Sequence, residues 1–238
     1  MLKPVFKRVL LKLSGEALIG AKGFGFDPAI VGQIADEIKE IHEAGLEMGI
    51  VIGGGNIFRG ATGEGIDRAA GDAIGMLATT INSLIIREYL MQRGVDSRVL
   101  SAVAMPKCAE LFTQDRALSH IEKKRIVIIA GGTGNPYFTT DTAAALRCLE
   151  IKAEVILKAT KVDGVYDDDP VKNPKAVKFA SITYDEALQK KLKIMDATAF
   201  SLCREHEVPI IVFKLLERGN LRKCIEGVPI GTIVKKGA

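Results

Sequence analysis

Three short apolar runs in this chain each end at a glycine-bearing turn, and that repetition narrows the fold more than any other feature. Val9 to Leu11 leads into Lys12-Leu13-Ser14-Gly15, and Met48 to Ile52 into Gly53-Gly54-Gly55-Asn56. Arg125 to Ala130 leads into Gly131-Gly132-Thr133-Gly134-Asn135-Pro136-Tyr137-Phe138-Thr139-Thr140-Asp141. A continuous β-branched run such as the last reads as a central parallel strand covered on both faces. Glycine lets the backbone bend toward a ligand, and a helix opening at Thr140 or Asp141 offers unpaired N–H groups and the positive end of its dipole to an anion. Three such strand ends in 238 residues point to two phosphorylated ligands meeting at one edge of a parallel sheet.

The intervening segments supply the helices. Asp27-Pro28 is an N-cap followed by proline at the first helical position. Ile30, Ile34, Ile38 and Ile41 then fall on one face up to Gly45. The same period through Ile74, Leu77, Ile81 and Leu84 predicts a helix over Ala73 to Arg93, closed by Gly94, with a strand at Ser97 to Ser101. Glu110 to Lys123 reads as mixed helical, and Asp141 to Leu149 as a helix before a strand at Glu154 to Leu157. Asp163-Gly164 marks a tight turn and Asp167-Asp168-Asp169-Pro170 a loop. Thr183 to Glu186 has capping-box spacing, and a further helix starts near Asp196. Pro209 to Phe213 and Thr232 to Val234 read as strands on either side of a helix at Asn220 to Ile225. The βαβα alternation predicts one α/β domain over residues 1–238, an αβα sandwich of three layers around a mostly parallel sheet.

Bulk properties exclude several classes. A net charge of +4 spread along the chain leaves no nucleic-acid-binding tail, and no apolar run reaches the roughly 20 residues of a membrane span. The expectation is a cytoplasmic protein without membrane or nucleic-acid partners. Cys108, Cys148, Cys203 and Cys224 lack Cys-x-x-Cys spacing and fall in stretches that read as helix, so reduced, buried or half-buried thiols are expected. His42, His120 and His206 show no metal-ligand spacing.

Neither the Walker A pattern nor a Gly-x-Gly-x-x-Gly with a downstream acid is present. Lys12 ends an apolar strand, where it is either a snorkelling surface residue or a cation facing a ligand. Asp141 is either a plain N-cap or a carboxylate that orients a lysine or binds Mg²⁺ through water, and Asp72 is likewise either a cap or functional, the functional reading being a hydrogen bond to a ribose hydroxyl. The acidic run Asp167 to Asp169 reads as a solvated turn. Phosphoryl transfer requires positioning and charge compensation, which Lys12, Arg59 and the glycine loops can supply.

In combination these segments closely resemble the bacterial-type UMP kinases of the amino-acid kinase fold, nearly end to end. The resemblance is carried by Lys12 to Leu18, Gly53 to Gly60, Gly75 to Thr79, Gly132 to Asp141, and Lys158 to Tyr166. It implies transfer of the γ-phosphoryl of Mg²⁺-bound ATP to UMP in pyrimidine nucleotide biosynthesis, with no metal held directly by the protein. It implies catalytic roles for Lys12, Asp141 and Arg59. ATP contacts fall to Lys12, Leu13, Ser14, Gly15, Gly55, Arg59, Thr160, Tyr166 and Asp169. UMP contacts fall to Gly54, Asp72, Thr133, Gly134, Asn135, Pro136, Tyr137, Phe138, Thr139 and Thr140. Lys158 is implied as a second positive charge near the phosphates. The N-terminal half (about 1–150) is thereby the acceptor side and the C-terminal half (about 151–238) the ATP nucleoside side. The family resemblance further implies a homohexamer activated by GTP and inhibited by UTP, the segment Gly20, Ala21, Lys22, Gly23, Phe24 and Gly25 matching a region linked to GTP activation. The stretch from Ala61 to Asp67 departs from the family's composition.

Two other readings compete. One is another kinase of the same fold acting on a carboxylate, carbamate or isoprenoid phosphate, against which the donor-rich turn Thr133 to Thr140 argues. The other is a nucleotide-sensing regulator, which would not need Lys12, Arg59 and Asp141 together.

Overall fold

A computed structural model of the chain describes residues 2–20, 22–58, 65–170 and 172–237. Nine strands form one sheet in the order β4-β3-β5-β2-β1-β6-β8-β9-β7. The strands are β1 (Arg8–Leu13), β2 (Glu47–Ile52), β3 (Ser97–Ser101), β4 (Glu110–Leu111), β5 (Ile126–Ala130), β6 (Val155–Thr160), β7 (Ser181–Thr183), β8 (Ile210–Lys214) and β9 (Thr232–Lys235). Every pairing is parallel except β8 with β9. The helices are α1 (Pro28–Glu43), α2 (Arg68–Met91), α3 (Gln114–Glu122), α4 (Thr140–Glu150), α5 (Tyr184–Gln189), α6 (Ala197–Glu205) and α7 (Asn220–Ile225).

Alternate residues of the central strands feed two cores. Val9, Leu11 and Leu13 of β1 pack on the side of α1, α2 and α7, whereas Leu10 packs with Ala143, Ala144, Cys148 and Phe200 of α4 and α6 on the other. The three-layer αβα architecture predicted from the βαβα alternation is therefore present. The chain runs β1 to β2 toward one edge of the sheet and returns from β5 to β6 on the other side of β1. That reversal puts a topological switch point between β1 and β6, and ligands of open α/β sheets bind outside the carboxyl ends of strands at such points.

Helix α2 departs from expectation. It starts at Arg68, capped by the Asp67 carboxylate on the N–H groups of Ala69 and Ala70, so Asp72 lies inside the helix and is not its cap. The stripe Ile74, Leu77 and Ile81 faces outward, at 37%, 49% and 46% exposure. The inward face carries Ala78, Thr79, Asn82, Ser83, Ile86 and Leu90. By length and composition alone α2 is long and apolar enough to cross a membrane, an 18-residue window reaching a mean hydropathy of 1.4, although Thr79, Thr80, Asn82 and Ser83 interrupt its apolar residues. Its polar groups are buried because they hold loops. Asn82 Nδ2 donates to Gly53 O at 2.7 Å and to Asn56 Oδ1 at 2.7 Å, while Asn56 Nδ2 donates to Gly25 O at 2.8 Å. Thr79 Oγ1 accepts the Gly131 N–H at 2.9 Å. One helix thus ties down the glycine turns after both β2 and β5.

Smaller departures are local. The mixed helical stretch from Glu110 opens as the two-residue strand β4 before α3, and β7 is an additional edge strand too short to show a period. Cys108 is exposed in a turn, unlike the buried Cys148, Cys203 and Cys224.

Asn82→Leu is expected to lower the free energy of unfolding by about 2–4 kcal/mol, because Gly53 O and the Asn56 amide would lose a buried partner. Urea titration measures it; a loss below about 0.5 kcal/mol would mean that the loop is held elsewhere.

Candidate active site

The parallel register sets Lys12 of β1 beside Lys158 of β6. Period-two alternation places Lys12 on the face of Leu10, under α4, and both lysines are nearly buried, at 8% and 9% exposure. Two ammonium groups side by side in a dry site need a counter-charge. Asp141 supplies it, with Oδ1 at 2.6 Å from Lys12 Nζ and Oδ2 at 2.5 Å from Lys158 Nζ. The surface reading of Lys12 is excluded.

Asp141 is not the cap of α4. Thr139 is: its Oγ1 accepts the N–H groups of Asp141 at 3.0 Å and Thr142 at 3.2 Å. Asp141 is freed from capping and its carboxylate turns to the lysines. Burial pushes its pKa up, but Lys12 and Lys158 together outweigh this and hold it below the ordinary aspartate value. Burial lowers Lys158, helped by the neighbouring Lys12 and opposed by Asp141. One carboxylate between two cations leaves the cluster with an excess positive charge at the carboxyl ends of the strands.

Asp196, which the sequence signals only as a helix start, braces the cluster without an ion pair to either lysine, and its charge acts on Lys158. Asp196 caps α6 through the N–H groups of Thr198 and Ala199, both at 3.0 Å. It also accepts the hydroxyls of Thr139 at 2.5 Å and Thr142 at 2.9 Å. The Thr139 hydroxyl therefore donates to Asp196 while accepting from the Asp141 N–H, which clamps the first turns of α4 and α6 together behind the lysines. An Asp before a helical run signals only a cap; its second set of contacts comes from tertiary packing.

Two clefts open on either side of the β1 end. The first, about 250 Å³, is lined by Gly54, Gly55, Asp72, Thr133, Asn135, Phe138, Thr139 and Thr140, together with Phe58, Arg68, Met76 and Thr79. Gly54 must lack a side chain, since a Cβ there would lie 2.8 Å from that of Ala78 in α2. Gly134, Pro136 and Tyr137 shape the loop without lining the cleft. The second, about 620 Å³, is lined by Lys158, Thr160, Tyr166 and Asp169, and also by Asp167, Asp168 and the segment Lys190 to Ile194. Tyr166 Oη donates to Asp163 Oδ1 at 2.6 Å, and that bond keeps the Asp163 carboxyl low. Lys12, Leu13, Ser14 and Gly15 line neither cleft; their strand lies between those that bear the two. Gly15 passes so close to β2 that a Cβ would sit 2.5 Å from Gly53 O. Lys161 meets Glu16 at 3.0 Å across this junction, a contact no motif announces. Arg59, Gly60 and Ala21 lie outside the described residues.

The sequence model of the Amino acid kinase family matches residues 7–214. The chain belongs to the amino acid kinase family. Solved structures agree over almost the whole length. A UMP kinase from Bacillus anthracis is 39% identical with a TM-score of 0.95, the match covering 99% of this chain and 98% of that one. A UMP kinase from Ureaplasma parvum is 37% identical at a TM-score of 0.92, covering 97% and 99%. A uridylate kinase from Archaeoglobus fulgidus is 25% identical at 0.74, covering 95% and 99%.

Asp141→Asn strips the counter-charge from two buried ammonium groups and is expected to destabilise the fold at neutral pH by about 3–5 kcal/mol. The sign with pH follows from linkage. The depressed Asp141 contributes stability above the ordinary carboxylate range and loses it as pH falls through its folded pKa. The variant lacks that acid limb. Its Lys158, lowered further, makes stability rise with pH on the alkaline side, where the unfolded chain binds more protons. Denaturation midpoints from pH 3 to 10 (about that span being open to titration of both groups) test this; parallel curves for both proteins would rule out the cluster as the origin.

Proposed function

We propose that this protein is a UMP kinase, transferring the γ-phosphoryl group of ATP to UMP to give UDP and ADP. The observation that carries the reading is the placement of a net-positive cluster, Lys12, Asp141 and Lys158, between two clefts at one sheet edge. Its support from likeness is the pair of UMP kinases matched at 37–39% identity along nearly their full length.

In this reading the 620 Å³ cleft of the C-terminal half takes the ATP nucleoside against Thr160, Tyr166 and Asp169. The triphosphate lies along Lys12, Leu13, Ser14, Gly15, Gly55 and Arg59. UMP takes the N-terminal cleft, with Gly54 under its phosphate, Asp72 at the ribose and the turn Thr133 to Thr140 around the base. A phosphate oxygen of UMP forms the new bond to the γ-phosphorus as the bond to the bridging oxygen of ADP breaks. Such a loose transition state spreads negative charge over the transferring group, and the protein's part is positioning and charge compensation. Lys12 and Lys158 provide the charge, while Asp141 fixes their direction. Both Asp141 oxygens are engaged by lysines, and no group of three metal-ligating side chains occurs among the described residues. That donor set fits a magnesium ion that arrives chelated by the ATP phosphates. When bound it neutralises phosphate charge.

The same reading places the enzyme in pyrimidine nucleotide synthesis in the cytoplasm, as a homohexamer responsive to GTP and UTP. The outward stripe Ile74, Leu77 and Ile81 supports association of copies, since an exposed apolar row on a helix is a self-association surface. For GTP, support comes from the Gly20 to Gly25 segment, whose Gly25 exchanges hydrogen bonds with Asn56 in the turn after β2.

ADP release coupled to UMP, assayed against CMP, dUMP, aspartate, glutamate and carbamate, tests the reaction; turnover on an acyl substrate in place of UMP would overturn it. Lys12→Ala is expected to cut turnover by about two to three powers of ten, the scale of one preorganised electrostatic contact. Retention of turnover within a few-fold would take charge compensation away from Lys12. Ile81→Glu is expected to yield a smaller species in sedimentation velocity than the wild-type chain, and an unchanged sedimentation coefficient would remove α2 from the interface.

A further inference from the structure

The loop that borders the acceptor cleft contains a strained residue with an unusual support. Tyr137 sits at φ 72°, in the left-handed region that a residue with a Cβ rarely adopts. The other non-glycine residues with positive φ, Lys124, Lys152, Lys191 and Glu207, each lie two positions beyond a helix end, where that conformation closes the helix. Tyr137 alone among the described residues holds it within a loop. No helix end explains it, and its ring is 64% exposed, so core packing does not hold it either.

Two residues on the first turns of α2 do. Tyr137 N donates to Asp72 Oδ2 at 2.7 Å, and Arg68 Nε donates to the same oxygen at 2.9 Å. The Arg68 guanidinium lies over the Tyr137 ring, 5.8 Å from its centroid. Arg68 therefore grips both partners, the carboxylate through its Nε–H and the ring through its cationic plane. A carboxylate accepts at two oxygens. With Oδ2 committed to Arg68 and Tyr137, Oδ1 is, among the described residues, the oxygen left for a ligand donor, its direction set by the clamp.

We infer that Arg68 is a positioning residue for sugar recognition: by fixing Asp72 and the Tyr137 bend, it sets how strongly the acceptor cleft distinguishes a ribonucleotide from its 2′-deoxy counterpart. The inference deepens the UMP kinase reading and depends on it. A site built around a fixed acceptor rejects an analogue lacking the matching hydroxyl, because the carboxylate oxygen is then left unpaired; a carboxylate free to rotate finds water and discriminates less.

The experiment measures kcat and KM for UMP and dUMP at saturating ATP, and KM for ATP, in the full-length wild type, R68A, R68K, D72N and R68A/D72N. For R68A the expected result is a rise in KM for UMP of about tenfold or more, a smaller change in kcat, an unmoved KM for ATP, and a UMP-to-dUMP preference reduced by about tenfold. R68K keeps the charge without the planar fork and should fall between. In the D72N background R68A should cost about twofold or less, since Arg68 acts through Asp72. An unchanged sugar preference in R68A overturns the inference, as does a full R68A penalty in the D72N background, which would mean that Arg68 meets the nucleotide directly. Absence of UMP turnover in the wild type overturns the kinase reading and this inference with it, whereas wild-type turnover with an unmoved R68A ratio overturns this inference alone.

Discussion

Two lysines on adjacent parallel strands, in register and nearly buried, are the constraint around which the rest of the molecule is arranged. A parallel sheet buries both faces, so a cation near a strand end has little access to water and requires a fixed counter-charge. Among the described residues only one carboxylate, Asp141, is in ion-pair contact with the two ammonium groups, while Asp196 acts on Lys158 without such a contact. The deficit is the functional point: full neutralisation would leave nothing to attract a polyanion, and no neutralisation would leave the fold carrying two uncompensated buried charges. The carboxylate must also be immobile, and its helix is held in place by Thr139 and by Asp196 across two N-termini. Charge, cap and inter-helix clamp are one connected network.

A second network does the same for the turns. In its first half helix α2 turns Ile74, Leu77 and Ile81 outward and Thr79, Asn82 and Ser83 inward, against the usual pattern for a helix on a sheet, while Ile86 and Leu90 further along join the core. The inversion has a local cause. Glycine turns expose backbone carbonyls and N–H groups that no strand pairs, and such groups need partners when buried. Asn82 and Thr79 provide them for Gly53 and Gly131. The apolar residues of that half then occupy the outer face, which couples the shape of the smaller cleft to whatever covers that face.

These two networks explain what the sequence could and could not announce. Strand and helix positions were legible because apolar runs, caps and glycine stops are local signals, and the three glycine-marked strand ends do converge at one sheet edge. The partnership of Lys12, Asp141 and Lys158 joins two strands and a helix far apart in the chain; local reading offered Asp141 as a possible partner for a lysine, and only family likeness added Lys158. The direction of α2 was not legible, since periodicity locates a stripe but does not say which side of a helix meets the sheet. Asp72 read as a possible cap because the true cap, Asp67, precedes a stretch with no apolar period of its own. Arg68, Asp196 and the Lys190 to Ile194 lining of the larger cleft carried no motif, because each acquires its place through tertiary contact. The edge strands β4 and β7 are shorter than any period that could reveal them.

The two clefts are built from different material, and this separates specificity from chemistry. The smaller one is bounded by a long helix and two tethered turns, so its walls are set by buried hydrogen bonds. The larger one is bounded mainly by loops after β6 and α5. Shape selection among small ligands demands the rigid wall, because a misplaced acceptor or donor of a few tenths of an ångström forfeits discrimination. A nucleotide bound mostly through its phosphates tolerates a looser nucleoside wall, provided that the phosphates meet a fixed charge. The fixed charge is supplied by the sheet itself, at β1 and β6, the strands on either side of the switch point. The reacting group can therefore be held to the geometry of the sheet while the nucleoside end remains free to enter and leave.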